Sequence, residues 1–569
     1  MIERTPERLW RTTFLVCVAG LVLPTFAADL APAARGGVDQ SPMKSASQSE
    51  ILELKSQLLE QRHMIEQLRL ELEEQRKLIG RTAAGPIDIN AINAGRGQVR
   101  SAGEVASTLP VVPSGTMAVA NPAQAASAAK KSDAEQAPLQ LRIGSATLTP
   151  VGFMDFTGVY RSTNPGTGIG TNFGSVPYKN TVQGNLGEFR LSAQNSRVGF
   201  RVDAKVRGAN VLGYLESDFL GFVPGNAAVT SNSDNLRMRL YWVDVRKDKL
   251  ELFAGQSWSM LTPNRKGVSA LPSDLFYTQD VDVNYQAGLV WSRNPQFRFI
   301  LHPSAKVAMG VSLEGPEQYI GGSGGGGLVT LPSALSTPYA NQLNNGNTAL
   351  SVPDVHPDVI AKVAFDPGRR AHLEVAGLFR TFKVYNPLNQ NHYTAHGGGA
   401  SVNVGFELAK NFRVFSNNFY SDGGGRWIFG LAPDLIVRAD GSLSPIHSGS
   451  TLDGFEFQHG NTQFYAYYGG VYIARNTAVD TTGNKRTLVG YGFAGSSGAQ
   501  NRLIHEPTVG ITQTFWRDPR YGALQLMLQY SYVLRYPWFV AADAPKDAHT
   551  NMAFVNLRYL LPGSAPHIE

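Results

Sequence analysis

Hydrophobic positions along the chain follow two different periods. From Ser49 to Gly80 the period is seven: Ile51, Leu58, Ile65, Leu72 and Ile79 occupy one heptad position, and Leu54 and Leu68 fall three residues on, alternating with Gln61 and Gln75. The spacing predicts a coiled-coil seam of about four heptads over residues 50–80, roughly 45 Å long at 1.5 Å per residue. Lys55, Arg62, Arg69 and Arg76 stand four residues after successive seam positions, with Glu60, Glu66, Glu71, Glu73 and Glu74 available as partners. A single amphipathic helix lying on a domain would carry a similar stripe, but so regular a seam favours identical partners. Mixed Ile and Leu at the first position favours more than two strands.

From about Leu139 the period becomes two. In SRVGFRVDAKV, Val198, Phe200, Val202, Ala204 and Val206 alternate with Arg197, Gly199, Arg201, Asp203 and Lys205. The same alternation recurs in HLEVAGLF, with Leu373, Val375 and Phe379 set against His372 and Glu374. It recurs again in SVNVGFEL and in NMAFVNLRYLL. These runs predict strands with one apolar and one polar face, a pattern that a soluble sandwich and a membrane barrel share.

Connection lengths separate the two cases. Seven short turns are predicted, at AKVRGAN, VRKDKLE, LHPSAKV, DPGRRAH, LAKNFR, QHGNTQ and WRDPRYG. Between them lie long polar segments near 162–187, 221–235, 260–285, 315–356, 385–397, 421–450, 475–505 and 537–549. Long loops alternating with short turns predict an all-β transmembrane barrel of about sixteen antiparallel strands over residues 139–561, the asymmetry of outer-membrane barrels. Fourteen or eighteen strands stay open, because QFRFILH and the region after Gly315 read ambiguously. Residues 562–569 form a short tail.

Composition adds the compartment. Charged residues are 17% of the chain, against a typical value of about 25%, while 59 Gly, 21 Tyr and 28 Phe suit many turns and much sheet-facing or lipid-facing surface. Arg4, Arg8 and Arg11 precede an apolar run from Phe14 to Val22, and Thr25 and Ala27 then supply small residues, which predicts a signal peptide over 1–27. The run is too short for a spanning helix, so an exported membrane protein of this sequence must cross as a closed barrel. Cys17, the single cysteine, falls inside that leader, which leaves no thiol for disulfides. Residues 28–49 read as a linker. Residues 81–138, rich in Ala, Gly, Pro, Ser and Val, read as a longer flexible one.

Four stretches carry a resemblance: TPVGFMDFTGVYR as first strand, SRVGFRVDA as second, and LRMRLYWVDV followed by LELFAGQSWSML as fourth and fifth. With the leader, coiled coil and linker they resemble the DcaP-like family of trimeric outer-membrane porins, and Gly255-Gln256-Ser257-Trp258-Ser259 looks like that family's glycine-glutamine-hydroxyl-tryptophan signature. Residue-level similarity spans about the first third of the barrel. The resemblance implies a homotrimer that passes small organic anions, dicarboxylic acids among them, with outer-membrane lipid and lipopolysaccharide around it and the coiled coil in the periplasm.

The residues propose where such a solute would pass. Strand two puts Arg197, Arg201 and Lys205 on its polar face, with Arg190 read beside them provided no bulge intervenes; strand four puts Arg237, Arg239 and Tyr241 together. Asp203, Glu216 and Asp218 make the wall less than purely basic, and solvated lumen charges without selectivity remain the plainer reading. In the third long loop Arg265 and Lys266 lie at one end and Asp274, Asp280 and Asp282 at the other. Opposed charges of that kind set a transverse field across a constriction, or else the acids pair with lumen arginines and fix the loop.

Other motifs fail on context. Asp280, Asp282 and Asn284 open like a calcium loop, yet Tyr285 replaces the required Gly and Trp291 stands where the bidentate Glu belongs. Gly490, Gly492 and Gly495 match a dinucleotide fingerprint without a following helix. Gly321 to Gly325 match a nucleophile elbow only because they form a glycine run. His392 and His396 precede a triple glycine and read as loop. The sequence therefore assigns no catalytic residue, metal, cofactor or nucleic-acid partner. The expected function is passive diffusion; a barrel-anchored tether or adhesin, or an outer-membrane hydrolase, are the alternatives. Removing residues 50–80 is expected to leave conducting channels.

Overall fold

The protein is described by a computed structural model covering residues 140–221, 235–322, 325–346, 352–353, 356–482, 484–518 and 521–562. The leader, coiled coil and linkers read from the sequence lie outside the described residues.

Alternating residues on each strand turn to opposite faces, and the strands pair in chain order into one closed antiparallel barrel. Its staves are β1 (Ala146–Arg161), β2 (Glu188–Ser192 and Arg197–Val206), β3 (Ala209–Asp218), β4 (Arg237–Lys247), β5 (Leu250–Trp258) and β6 (Arg293–Ser304). Next come β7 (Val307–Glu314), β8 (Asp358–Gly368), β9 (Ala371–Asn386), β10 (Asn391–Ala409) and β11 (Phe412–Asp422). The circuit ends with β12 (His447–His459), β13 (Thr462–Ile473), β14 (Asn501–Asp518), β15 (Gly522–Pro537) and β16 (Ala548–Leu560). Closure runs through β1, which pairs with β2 on one side and with β16 on the other, Asp155 opposite Arg558. A short strand, Leu141–Ile143, precedes β1 and folds back on its start. The expected sixteen staves and all seven short turns are present.

The outer face is apolar. Val198, Phe200, Phe297, Phe299, Val311, Val375, Phe379, Val402, Val509, Leu528 and Val555 all lie exposed on it. Removing such surface from water drives burial, and lipid supplies the cover that this chain does not. Inward positions carry the buried polar residues, among them Arg161, Arg239, Arg298, Arg380, Glu374 and Arg558.

One predicted loop is absent. Residues 385–397 belong to strands: Asn386 pairs with Asn391, leaving only residues 387–390 as a turn. His392 and His396, read as loop residues, therefore stand on β10. The glycine run after them has a steric cause. A Cβ on Gly397 would meet the Phe382 ring at 2.8 Å, and one on Gly399 the Phe419 ring at 2.9 Å, so glycine lets two inward aromatic rings lie against the wall.

Two irregularities decide which side chains face inward. Stave β2 breaks between Ser192 and Arg197, where the Asp155 amide donates to Ser196 Oγ at 3.0 Å. In β4 the register slips between Glu216 and Ser217 of its partner, leaving Arg239 as the extra residue.

Candidate functional site

The inner wall of β2, β3 and β4 gathers a charged cluster near the start of the third long loop. Asp218 accepts from Arg237 Nε at 3.0 Å and Nη2 at 2.9 Å, and from Arg239 Nη1 at 3.1 Å. Glu216 accepts from Arg239 Nε at 2.6 Å and from the Tyr214 hydroxyl at 3.1 Å, while Arg197 Nη1 lies 3.5 Å away. Arg293, at the entry to β6, completes the group. Its guanidinium lies 5.4 Å from the Trp258 ring centroid, and that of Arg239 lies 5.6 Å away. Four guanidiniums thus surround two carboxylates, and Arg293 Nε and Nη1 are buried without an acceptor among the described residues. Charge this deep is maintained by pairing, and here the positive sign is in excess.

Residues 259–292 fold into the barrel. Trp258 anchors the segment: its ring meets Trp291 at 5.2 Å and both Tyr277 and Tyr285 at 6.2 Å. Gly255 in the same short motif takes φ +133° and passes so close to Tyr241 that a Cβ there would lie 2.3 Å from its carbonyl oxygen, which only glycine tolerates. The segment first descends toward the short-turn end. There Arg265 pairs with Glu456 of β12 at 2.6 and 2.9 Å, the Gly267 amide donates to Asp366 of β8 at 3.0 Å, and Ser269 Oγ donates to Glu251 of β5 at 2.6 Å. It then climbs along the far wall. The Gln279 amide donates to the Tyr467 hydroxyl at 3.0 Å, the Val281 amide to Gln529 at 2.5 Å and the Ala287 amide to Glu506 at 2.7 Å. Leu275, Phe276 and Tyr285 join Leu378, Phe415 and Tyr465 of the wall in one apolar cluster.

The loop acids do not form the second pole expected of a transverse field. Asp274 folds back on the basic end, its backbone carbonyl accepting from the Arg265 and Lys266 amides at 2.6 and 3.2 Å. Burial pushes its carboxyl up to about 6. Asp282 accepts from the Thr171 amide at 3.2 Å and the Asn284 amide at 2.8 Å, tying the loop to the first long loop. Asp280 is buried beside Thr278, and burial pushes its carboxyl well above the ordinary range, with Asp282 and Glu456 pushing the same way. Asp282 thus ties the loop through its carboxylate and Asp274 through its backbone carbonyl.

Among the wall residues proposed from sequence, Arg197, Arg237 and Arg239 come together. Arg201 lies lower and pairs with Asp203 at 2.7 Å; Lys205 is exposed at the short-turn end. Arg190 faces inward because the chain does break before Arg197: Val159 of β1 lies opposite Arg190 and Phe153 opposite Arg197, and both are inward positions. Arg190 pairs with Glu188 at 2.8 Å, and Arg161 holds the same carboxylate at 2.7 Å. Tyr241 is a correction. Beyond the Arg239 bulge it pairs with the outward Leu215, and its hydroxyl meets Ser217 Oγ at 2.7 Å, while Trp242 and Asp244 turn inward.

The sequence reading missed Arg293, Glu456 and the pairs that tie other loops to the wall. Arg380 holds Asp358 at 3.0 Å and Asp434 of the loop over 423–446 at 2.8 Å. Lys362 holds Glu374 at 3.1 Å and donates to the Thr262 carbonyl at 2.7 Å. Polar parity on β8, β9 and β12 would have marked these positions as inward, but parity names no partner.

Fold and site together define a membrane-spanning sixteen-stranded barrel with a loop inserted into a charged interior. The described part of the chain shares the fold of the outer membrane channel DcaP of Acinetobacter baumannii, at a TM-score of 0.53 and 16% identity over 74% of this chain and 98% of that one. OmpT of Vibrio cholerae, an outer membrane protein, aligns at 0.39 with 10% identity over 74% and 99%. OprB of Pseudomonas putida aligns at 0.38 with 10% identity over 72% and 94%. No family model and no curated protein sequence matches the chain.

Proposed function

We propose that this protein is a bacterial outer-membrane porin, a homotrimer that lets small hydrophilic solutes diffuse passively, organic and dicarboxylic acid anions foremost. The observation that carries the reading is the local cluster beside the inserted loop, where Arg197, Arg237, Arg239 and Arg293 gather around only Glu216 and Asp218, set against an outer face that is apolar below its long-loop rim. A basic lining lowers the barrier for anions and raises it for cations. The described likeness to a protein named as an outer membrane channel is in keeping with this. The long loops face outward from the cell and the short turns face the periplasm. Selectivity needs no covalent chemistry: Arg197, Arg237, Arg239 and Arg293 offer charge, and the loop over 259–292 limits width.

Planar-bilayer recording under a salt gradient tests the reading. Conductance in three equal steps with an anion-preferring reversal potential is expected, and strong cation preference would refute the selectivity. Arg197→Glu with Arg201→Glu should move the reversal potential toward cations; an unmoved potential would remove those residues from the path.

A further inference from the structure

At the long-loop end of the barrel, four consecutive hairpins repeat one arrangement on the outer face. In β9–β10, His392 lies 5.0 Å from the Tyr385 ring and His396 lies 5.8 Å from Phe379. In β11–β12, His447 lies 6.3 Å from Tyr420. In β13–β14, His505 lies 6.0 Å from Tyr468 and bonds its hydroxyl at 2.7 Å. In β15–β16, His549 lies 5.7 Å from Tyr532. Each imidazole is at or near the start of its hairpin's second strand, leaning on an aromatic ring of the first. All face outward, since the alternate positions beside them are the buried inward ones. Cations join the row: Lys383 pairs across the sheet with Thr394 between the two β10 histidines, and Arg475 and Arg502 lie 5.3 and 5.8 Å from the Trp538 ring. Acids also touch it, Asp422 at 3.3 Å from His447 and Asp547 at 3.2 Å from His549, so carboxylates partly match those two imidazoles.

The other half of the perimeter has no counterpart among the described residues. Near the long-loop ends of β2, β4 and β6 the outward side chains are Phe189, Leu191, Met238 and Phe297.

Aromatic rings at this height suit the boundary between hydrocarbon and headgroups. Rings alone would be explained by that boundary; rings paired with imidazole, ammonium and guanidinium add donors that match phosphate oxygens. The geometry points to this arc, β9 through β16, as a docking surface for the phosphate-bearing headgroup of an outer-leaflet glycolipid of the lipopolysaccharide type. The inference rests on the outer-membrane reading above. A membrane lipid is the occupant, not free phosphate, because the row continues downward into Val402, Val509, Leu528 and Val555, where acyl chains would lie.

The test uses purified full-length protein in neutral detergent, mixed separately with diphosphorylated lipid A, phosphatidylcholine and inorganic phosphate at pH 6 and pH 8. Retained lipid is measured after gel filtration. Lipid A should be retained selectively and more strongly at pH 6, since imidazole gains charge below about 6.5. Replacing His392, His396, His447, His505 and His549 by Gln should lower retention at pH 6 by about fivefold or more and leave bilayer conductance unchanged. A second variant, Lys383→Gln with Arg475→Gln and Arg502→Gln, should lower retention at both pH values. Equal retention by wild type and both variants, equal retention of phosphatidylcholine, or equivalent competition by inorganic phosphate overturns the proposal. Conductance recorded on the same samples separates that outcome from failure of the porin reading, which would appear as absent channels in the wild type.

Discussion

Arg265 and Glu456 are joined by two hydrogen bonds, at 2.6 and 2.9 Å, across the interior of the barrel. One belongs to the inserted loop and the other to β12. The Phe276 ring, 4.8 Å from the guanidinium, covers the pair from one side. Removing one partner of such a buried pair costs about 3–5 kcal/mol, because the remaining charge stays desolvated. Arg265→Ala should therefore loosen the loop while the barrel still assembles. Bilayer recordings should show larger and noisier conductance, and an unchanged trace would mean that the aromatic contacts alone hold the loop.

Loop retention should also depend on pH, with a definite sign. Burial raises the carboxyls of Asp274, to about 6, and of Asp280 and Asp282. An inserted carboxyl with a raised value binds its proton more tightly than the same group in water. Insertion is thus favoured most below the ordinary carboxylate value of about 4 and weakens as pH climbs through about 6. Closed or low-conductance episodes should be more frequent at pH 4.5 than at pH 7.5. Asp274→Asn with Asp280→Asn should flatten this dependence; full retention of it in that variant would place the titrating groups elsewhere.

Arg239 serves two carboxylates at once. Arg239→Leu leaves Glu216 with only Tyr214 and the more distant Arg197, and reduces Asp218 to its contacts with Arg237 and the Leu220 amide. The expected loss is about 3 kcal/mol or more, read as a lower urea midpoint for barrels refolded into vesicles. Arg239→Lys keeps the charge but not the fork, and should recover only part of the loss.

Tyr241 supplies a control that the sequence alone would have assigned to the pore. It faces outward, so Tyr241→Lys should cost barrel stability, about 2–4 kcal/mol if the site lies near the bilayer midplane, and leave the reversal potential where it was. A shift in selectivity without loss of stability would contradict the register of β4.

Much of the barrel was legible because its physics is local. Alternation in SRVGFRVDAKV or NMAFVNLRYLL requires only that one face meet lipid and the other meet polar surroundings, and turns such as those at Gly208 and Gly460 require only a residue that accepts positive φ. The stretch 385–397 reads as a loop because its histidines and the glycines at its end suggest one, whereas Gly397 and Gly399 make room for Phe382 and Phe419. The site was less legible. Wall arginines could be named one strand at a time, yet Arg293 joins them only because the chain returns after a 34-residue excursion, and Glu456 meets Arg265 from 191 residues away. Parity could not be carried across the break before Arg197 or past the slip at Arg239, since each shifts the count in a way that no side-chain pattern announces.

Those two interruptions mean that part of the lining is written in chain length. Deleting Arg239 would restore a regular ladder in β4 with every other side chain kept on its present face, because Met238 opposite Ser217 and Leu240 opposite Glu216 would then be neighbours. The guanidinium that serves both Glu216 and Asp218 is thus carried by the one residue of β4 that the ladder does not need, so the loss of a single codon there would strip it from the lining without disturbing the strand around it.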